Sequence, residues 1–262
     1  MRPAVGRTDA AAAAVGLAAG LIAGLFGVGG GVLIVPGLWW AARMEQRRAH
    51  GTSLAAMVPM TVGGVATYLA GGHVDWAAAA SLAVGSLVGA WWGAGLLARV
   101  RTRTLTVAFV AALVMSAVRM LLGDIETRTA GPSAVGLVAL AGVGLGAGLL
   151  AGLLGIGGGI VTVPVMTIAF GFAPVLAKGT SLAVIVPTAL VGSVRNARSG
   201  NLDARSATVV GLSGVVSAAL GAALSARLPD AVANALFGVL LLAISLRLVS
   251  PLRRTVRRHG RE

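Results

Sequence analysis

An all-α integral membrane protein built from two homologous, inverted repeats is the fold this sequence predicts, on three observations. Apolar stretches of spanning length fill a chain of 262 residues in which 57% are hydrophobic and 11% charged, far below the roughly one quarter charged of a soluble domain. The chain also aligns with itself, without a gap, at an offset of 128 residues. Finally, its basic residues gather between the apolar stretches, as they do in cytoplasmic loops.

The repeat is densest where GLIAGLFGVGGGVLIVP (Gly20 to Pro36) meets GLLAGLLGIGGGIVTVP (Gly148 to Pro164), with 11 of 17 positions identical. The same offset carries GTSLAAMVP (Gly51 to Pro59) onto GTSLAVIVP (Gly179 to Pro187), Asp75 onto Asp203, Arg99 onto Arg227 and Arg119 onto Arg247. The first transmembrane repeat is read as residues 1–122 and the second as 134–249, with a linker at 123–133 and a basic cytoplasmic tail at 250–262. Two homologous halves in one membrane chain are the construction of many secondary transporters.

Apolar stretches run over residues 10–42, 51–71, 76–97 and 104–122, then 134–172, 179–197, 205–226 and 230–249. Most have the roughly 20 residues one crossing needs. Arg2 and Arg7 precede the first run as they would a signal peptide, but the run outlasts such a segment and recurs later, so it is read as a span. The opening stretch of each half is too long for one helix and carries glycines at its centre (Gly27 to Gly31, Gly155 to Gly159). A break is expected there, giving either a hairpin or one long interrupted crossing, hence four to five segments per half. Charge decides between them. With hairpins, MRPAVGR, ARMEQRR, RVRTR, RNARSGNLDAR and the basic tail all lie inside, and the halves are inverted; with single crossings two basic segments would lie outside. Gly16, Gly20 and Gly24, their counterparts Gly144, Gly148 and Gly152, and Gly85, Gly89 and Gly93 recur every four residues, which lets helix backbones approach closely.

A net charge of +13 would suggest nucleic acid in a soluble chain; distributed between spans it does not, and no nucleic-acid partner is expected. There is no cysteine, and His50, His73 and His259 are scattered, so no metal site or cofactor is expected. No Ser-His-Asp set or paired carboxylates within a span appear, and the chain is not expected to be an enzyme.

Chemistry is sought where the two halves repeat polar or glycine residues. Gly29, Gly30 and Gly31, with Gly157, Gly158 and Gly159, can turn successive amides toward one point as an anion-binding nest, or can simply hinge the chain. Thr52, Ser53, Thr180 and Ser181 open the next span, either as helix caps or as donors to an oxyanion. Lys178, the only lysine in the chain, stands just before the second of these motifs, where His50 stands before the first. A cation at that place would attract an anion. Pro59 and Pro187 would kink their helices in matched positions and serve as hinges. Asp75 and Asp203 begin the following span as caps or as proton-coupling carboxylates, and Arg119 and Arg247 lie close enough to a span's end to snorkel. Arg195 and Asn196 have no counterparts, since Thr67 and Tyr68 occupy those places; substrate selection or anchoring at the cytoplasmic surface would account for them.

GLFGVGGGVLIVP and GLLGIGGGIVTVP, each followed by GTSL and a proline, together with NARSGNLD (Asn196 to Asp203), resemble the sulfite exporter TauE/SafE family, also called the toluene sulfonate uptake permeases. The resemblance covers nearly the whole chain. It implies a multi-pass carrier of the bacterial inner membrane that exports sulfite, organosulfonates or related sulfur-containing anions, with no cofactor and with an ion gradient as its drive. The expected partners are a small anionic substrate and the lipid bilayer. The pattern also admits proton coupling and a homo-oligomer. An anion channel of the same architecture and a membrane scaffold that transports nothing are the alternatives.

Overall fold

The computed structural model describes residues 5–41, 43–96, 102–122, 133–155 and 157–259. Among them lie ten helices and no strand: α1 Val5–Phe26, α2 Gly31–Ala41, α3 Gln46–Ala70, α4 Trp76–Leu96, α5 Thr102–Leu122, α6 Ala134–Leu154, α7 Gly159–Phe170, α8 Pro174–Arg198, α9 Ala204–Ser225 and α10 Asp230–His259. Six of these, α1, α3, α6, α8, α9 and α10, contain windows long and apolar enough to cross a membrane. Adding 128 to α1–α5 reproduces α6–α10 helix for helix, so each half has five segments. The long opening stretch is thus two helices, and α10 runs on through the tail to His259. Residues 123–132 of the 123–133 linker, the loop at 97–101 and the side chain of His259 lie outside the described residues, as do the surroundings of Gly93.

Close approaches give the direction of each helix. A Cβ on Gly30 would fall against Ala19 and one on Gly37 against Val15, so α2 folds back along α1 as a hairpin. Gly16, Gly20 and Gly24 of α1 meet Val210, Gly214 and Ala218 of α9 in step, and Gly144 and Gly148 of α6 meet Leu82 and Ser86 of α4 in step. These two pairs therefore run parallel. Because α1–α4 alternate in direction, α6, parallel to α4, is opposed to α1. The halves are inverted, as the charge pattern predicts. The glycine stripes let each half's first helix press onto the other half's fourth, where no hydrophobic drive exists between helices in lipid.

α3 and α8 cross at the centre. Gly192 meets Leu54 and Gly64 meets Leu182, an antiparallel crossing whose midpoint falls at Pro59 and Pro187. Proline removes a helix hydrogen bond, so both helices are weakened where they cross. Trp40, Trp76 and Trp91 are exposed, as tryptophan is at membrane interfaces.

Inversion is testable because the chain lacks cysteine. His73 and Asn201 occupy equivalent loops 128 residues apart. A membrane-impermeant maleimide should label H73C on intact cells and N201C only after permeabilisation; labelling of both from one side would contradict the inverted arrangement.

Candidate functional site

Two helix breaks meet in the interior. Gly27, Gly29 and Gly30 have φ of 72°, 77° and 78°, and Gly155 and Gly157 have 61° and 78°, left-handed values that glycine adopts without penalty. In the first break the Gly27 amide still bonds Ala23, and the Gly30 carbonyl accepts from Leu33 and Ile34 to start α2. Between them the buried amides of Val28, Gly29 and Gly30 donate to no acceptor among the described residues. In the second break the Gly158 carbonyl likewise starts α7 through Val161 and Thr162. Gly159 is buried there and Gly31 in the first break.

The GTS motifs hold these breaks, each in the opposite half. Ser53 Oγ donates to the Gly155 carbonyl at 3.1 Å, and Ser181 Oγ to the Gly27 carbonyl at 2.9 Å. Thr52 Oγ1 accepts the Asp203 amide at 3.0 Å, and Thr180 Oγ1 the Asp75 amide at 2.9 Å. These four bonds form two exchanged pairs. The capping reading of the four hydroxyls is corrected here: α3 and α8 begin at Gln46 and Pro174, a turn earlier than the apolar patterning predicts, so Thr52, Ser53, Thr180 and Ser181 stand in the second turn. Asp75 does act as a cap, its Oδ1 accepting the Ala78 amide at 2.9 Å. Asp203 holds the N-cap place of α9 without a side-chain bond to the backbone, and instead takes the Ser206 hydroxyl and a 3.5 Å ion pair with Arg48. Arg119 is exposed at the end of α5 and Arg247 is exposed on α10, as snorkelling requires.

Polarity is concentrated in the second half. Lys178, Ser181, Ile185, Thr188, Gly192, Arg195 and Ser199 recur at alternating steps of three and four, one continuous face of α8. Ser181 Oγ also pairs with Thr162 Oγ1 at 2.9 Å, where the first half has Ile34. Thr188 Oγ1 donates to Ser86 Oγ on α4 at 3.1 Å. Arg195 Nη1 donates to the carbonyls of Ala90 (3.3 Å) and Trp91 (2.9 Å). A pocket of about 120 Å³ lies on this face, lined by Thr188, Gly192, Arg195, Asn196 and Ser199 with Leu54 and Ala90 opposite. It brings Arg195 and Asn196 together, and both lie at the end carrying the basic RNARSGNLDAR loop.

At the middle of the stripe the polar line is interrupted. Ile185 and Met57, equivalent by the 128-residue offset and both buried, fill the space between the breaks. Ile185 Cδ1 and Met57 Cε lie 3.2 and 3.5 Å from where a Cβ on Gly29 would stand, and Met57 Cε lies 2.9 Å from that on Gly157. Beyond this plug, Lys178 is buried, its Nζ donating to Ser225 Oγ at 2.9 Å. The candidate residues therefore divide into a pocket at one end, a glycine-walled plug at the centre and a buried lysine toward the other end. The roles of Thr188, Thr162, Ser86, Ile185 and Met57 escape motif reading, although the three-four spacing along α8 would have found two of them.

Residues 2–120 and 140–262 match the family model described as "Sulfite exporter TauE/SafE". The "Probable membrane transporter protein YunE" of Bacillus subtilis (strain 168) is 27% identical over 259 residues, 90% of this chain and 95% of that protein. A "Probable membrane transporter protein" of Xylella fastidiosa (strain 9a5c) is 25% identical over 236 residues, 88% of this chain and 90% of that protein. The "Probable membrane transporter protein YdhB" of Bacillus subtilis (strain 168) is 35% identical over 80 residues, 30% and 33% of the two chains. No solved structure matches. The chain belongs to the sulfite exporter TauE/SafE family and is a multi-pass membrane protein.

The exchanged bonds carry a stability prediction. S181A leaves the Gly27 carbonyl without its hydroxyl donor and removes the hydroxyl partner of Thr162, whereas S53A orphans the Gly155 carbonyl alone. Each unsatisfied buried group costs about 1–3 kcal/mol. Thermal unfolding in detergent should therefore rank S181A below S53A and both below the wild type; equal melting of all three would show that these bonds do not hold the breaks.

Proposed function

We propose that this TauE/SafE-family chain is a secondary transporter that exports small sulfur-containing anions such as sulfite or organosulfonates by alternating access. The observation that carries the reading is the polar face of α8, which leads from the Arg195 pocket to the Ile185–Met57 plug between two glycine-built helix breaks. Non-helical backbone within a membrane is tolerated where it is buried in protein or lines a cavity, and substrate in duplicated carriers sits at the repeat interface.

Chemistry follows from the donors present. Arg195 supplies a permanent positive charge with donors in a fixed fork, a match for the oxygens of an oxyanion. Both carbonyl contacts, to Ala90 and to Trp91, are made by Nη1, which leaves the other guanidinium nitrogens for the anion. Asn196 Nδ2, which spends one hydrogen on the Gly192 carbonyl, adds a neutral donor on the same wall. A volume near 120 Å³ suits a small oxyanion with a few waters, well below the 300 Å³ or more of a drug-sized site. From the pocket the anion would pass Ile185 and Met57 as these side chains withdraw, meeting the unpaired amides of Gly29 and Gly30 that replace part of its hydration shell. Gly157, Gly158 and Gly159 would serve in the same way, with Thr52, Ser53, Thr180 and Ser181 keeping both breaks in register. Rocking of the inverted halves about the Pro59–Pro187 crossing would then expose the site to the other side.

Radiolabelled sulfite counterflow in proteoliposomes tests this. Flux should saturate, and R195Q should raise KM about tenfold, the effect of losing one charge-assisted contact of about 1.5 kcal/mol. Linear, non-saturating flux would make the protein a channel, and an unchanged KM in R195Q would remove the pocket from the route.

A further inference from the structure

The carrier reading leaves one buried ionisable group without a stated task. Lys178 lies 1% exposed within α8. Among the described residues its Nζ has one hydrogen-bond partner, the neutral Ser225 hydroxyl at 2.9 Å, and it sits 6.0 Å over the ring of Phe26. Among the described residues no carboxylate is within ion-pair distance of it. An ammonium has three donors, and a buried charge is retained only when it is paired. The surroundings therefore accommodate the ammonium when an anion stands beside it and the neutral amine when none does.

A second observation comes from the helix that packs on Phe26. Asp230, Asn234 and Phe237 share one face of α10 by their spacing of four and three. Phe237 meets Phe26, ring centroids 5.7 Å apart, so this face closes over the ring that Lys178 caps. Asn234 Oδ1 is buried there without a hydrogen-bond partner. Among the described residues, Lys178 thus keeps ammonium donors in excess of its one acceptor, and the helix face packed on Phe26 carries the unpartnered Asn234 Oδ1.

Resting on the carrier reading above, we propose that Lys178 carries the coupling proton: it is protonated when the anion is bound and releases that proton to water when the anion leaves. One N–H bond is broken and one reformed per cycle, so one proton crosses with each anion. The charged and titratable groups around it are Tyr68 of α3, whose hydroxyl donates to the Gly24 carbonyl at 2.7 Å, and Asp230, which acts on it electrostatically from the start of α10. Among the described residues, His73 and Asp75 in the α3–α4 loop also approach, the first through its carbonyl beside Gly179 and the second through its amide on Thr180. All belong to the end of the molecule opposite the Arg195 pocket, and His50 holds the equivalent place in the first half. For dianionic sulfite, one accompanying proton leaves one net negative charge. An inside-negative potential then drives it outward with roughly 2.3 kcal/mol per 100 mV.

Methanesulfonate, a strong-acid anion that carries no proton of its own, separates this proposal from the reading beneath it. Wild-type proteoliposomes should exchange labelled methanesulfonate and accumulate it about tenfold for an imposed difference of one pH unit, the equivalent of one proton per anion. K178R, charged at all working pH values, should still exchange but not accumulate. S225A, which removes the acceptor of the ammonium, should shift the pH of half-maximal wild-type exchange downward. Exchange without pH-driven accumulation in the wild type, or accumulation in K178R equal to the wild type, overturns the proposal while the carrier reading stands. If K178R fails to insert, an unmoved pH profile in S225A overturns it. No exchange in the wild type overturns both.

Discussion

A helix interrupted inside a bilayer releases backbone groups that lipid cannot satisfy, and the remainder of this structure depends on how that demand is met. Each half breaks its first segment at a glycine run and hands the freed carbonyl to a serine of the other half, Gly27 to Ser181 and Gly155 to Ser53. The neighbouring threonines take the amides that begin the next loop-to-helix junction, again in the other half. Neither break is therefore self-sufficient, and the two repeats are obliged to interlock. Inversion, the α3–α8 crossing and the parallel glycine contacts of α1 with α9 and α4 with α6 are the packing that allows those bonds to be exchanged.

Symmetry of scaffold combined with asymmetry of lining is what makes a transport reading physical. The scaffold contacts repeat at the 128-residue offset, whereas the side chains facing the interior do not: Lys178, Thr162, Thr188, Arg195 and Asn196 stand where the first half has His50, Ile34, Met60, Thr67 and Tyr68. In the transport reading proposed above, a two-fold scaffold would supply two packings of similar energy about one pivot, and a one-sided polar face would give the anion a single route along α8. Met57 and Ile185 retain the symmetry at the point where the route is closed.

Much of this was legible in the sequence because it rests on local composition. The repeat and the break at each glycine run needed no tertiary information, and with the positive-inside reading of the basic loops they pointed to inversion. The start of α3 and α8 was misplaced because Gln46 to His50 is polar and Pro174 to Lys178 ends in a charge, so hydropathy put the boundary at the GTS motif rather than one turn before it. The hydroxyls were then read as caps or as oxyanion donors at a helix start, since their true partners are 102 to 154 residues away and no pattern announces them. Lys178 was noticed as an isolated cation, but its burial depends on Ser225 at the end of α9, 47 residues downstream, and on Phe26 of α1. The pocket needed Ala90 and Gly152 beside Arg195, a juxtaposition that only packing of α4, α6 and α8 produces.

The central claim is that one face of α8 is the water-accessible anion route, and cysteine scanning of residues 178–199 in the naturally cysteine-free chain tests it most directly. With a hydrophilic maleimide, reactivity should recur at steps of three and four through Ser181, Thr188, Gly192, Arg195 and Ser199. A sulfonate should slow labelling at Thr188 and Arg195, and the exposed, lipid-facing Leu190 and Val194 should stay unreactive. Labelling that favours Leu190 and Val194, or that shows no period along the helix, would contradict the route proposed for the anion.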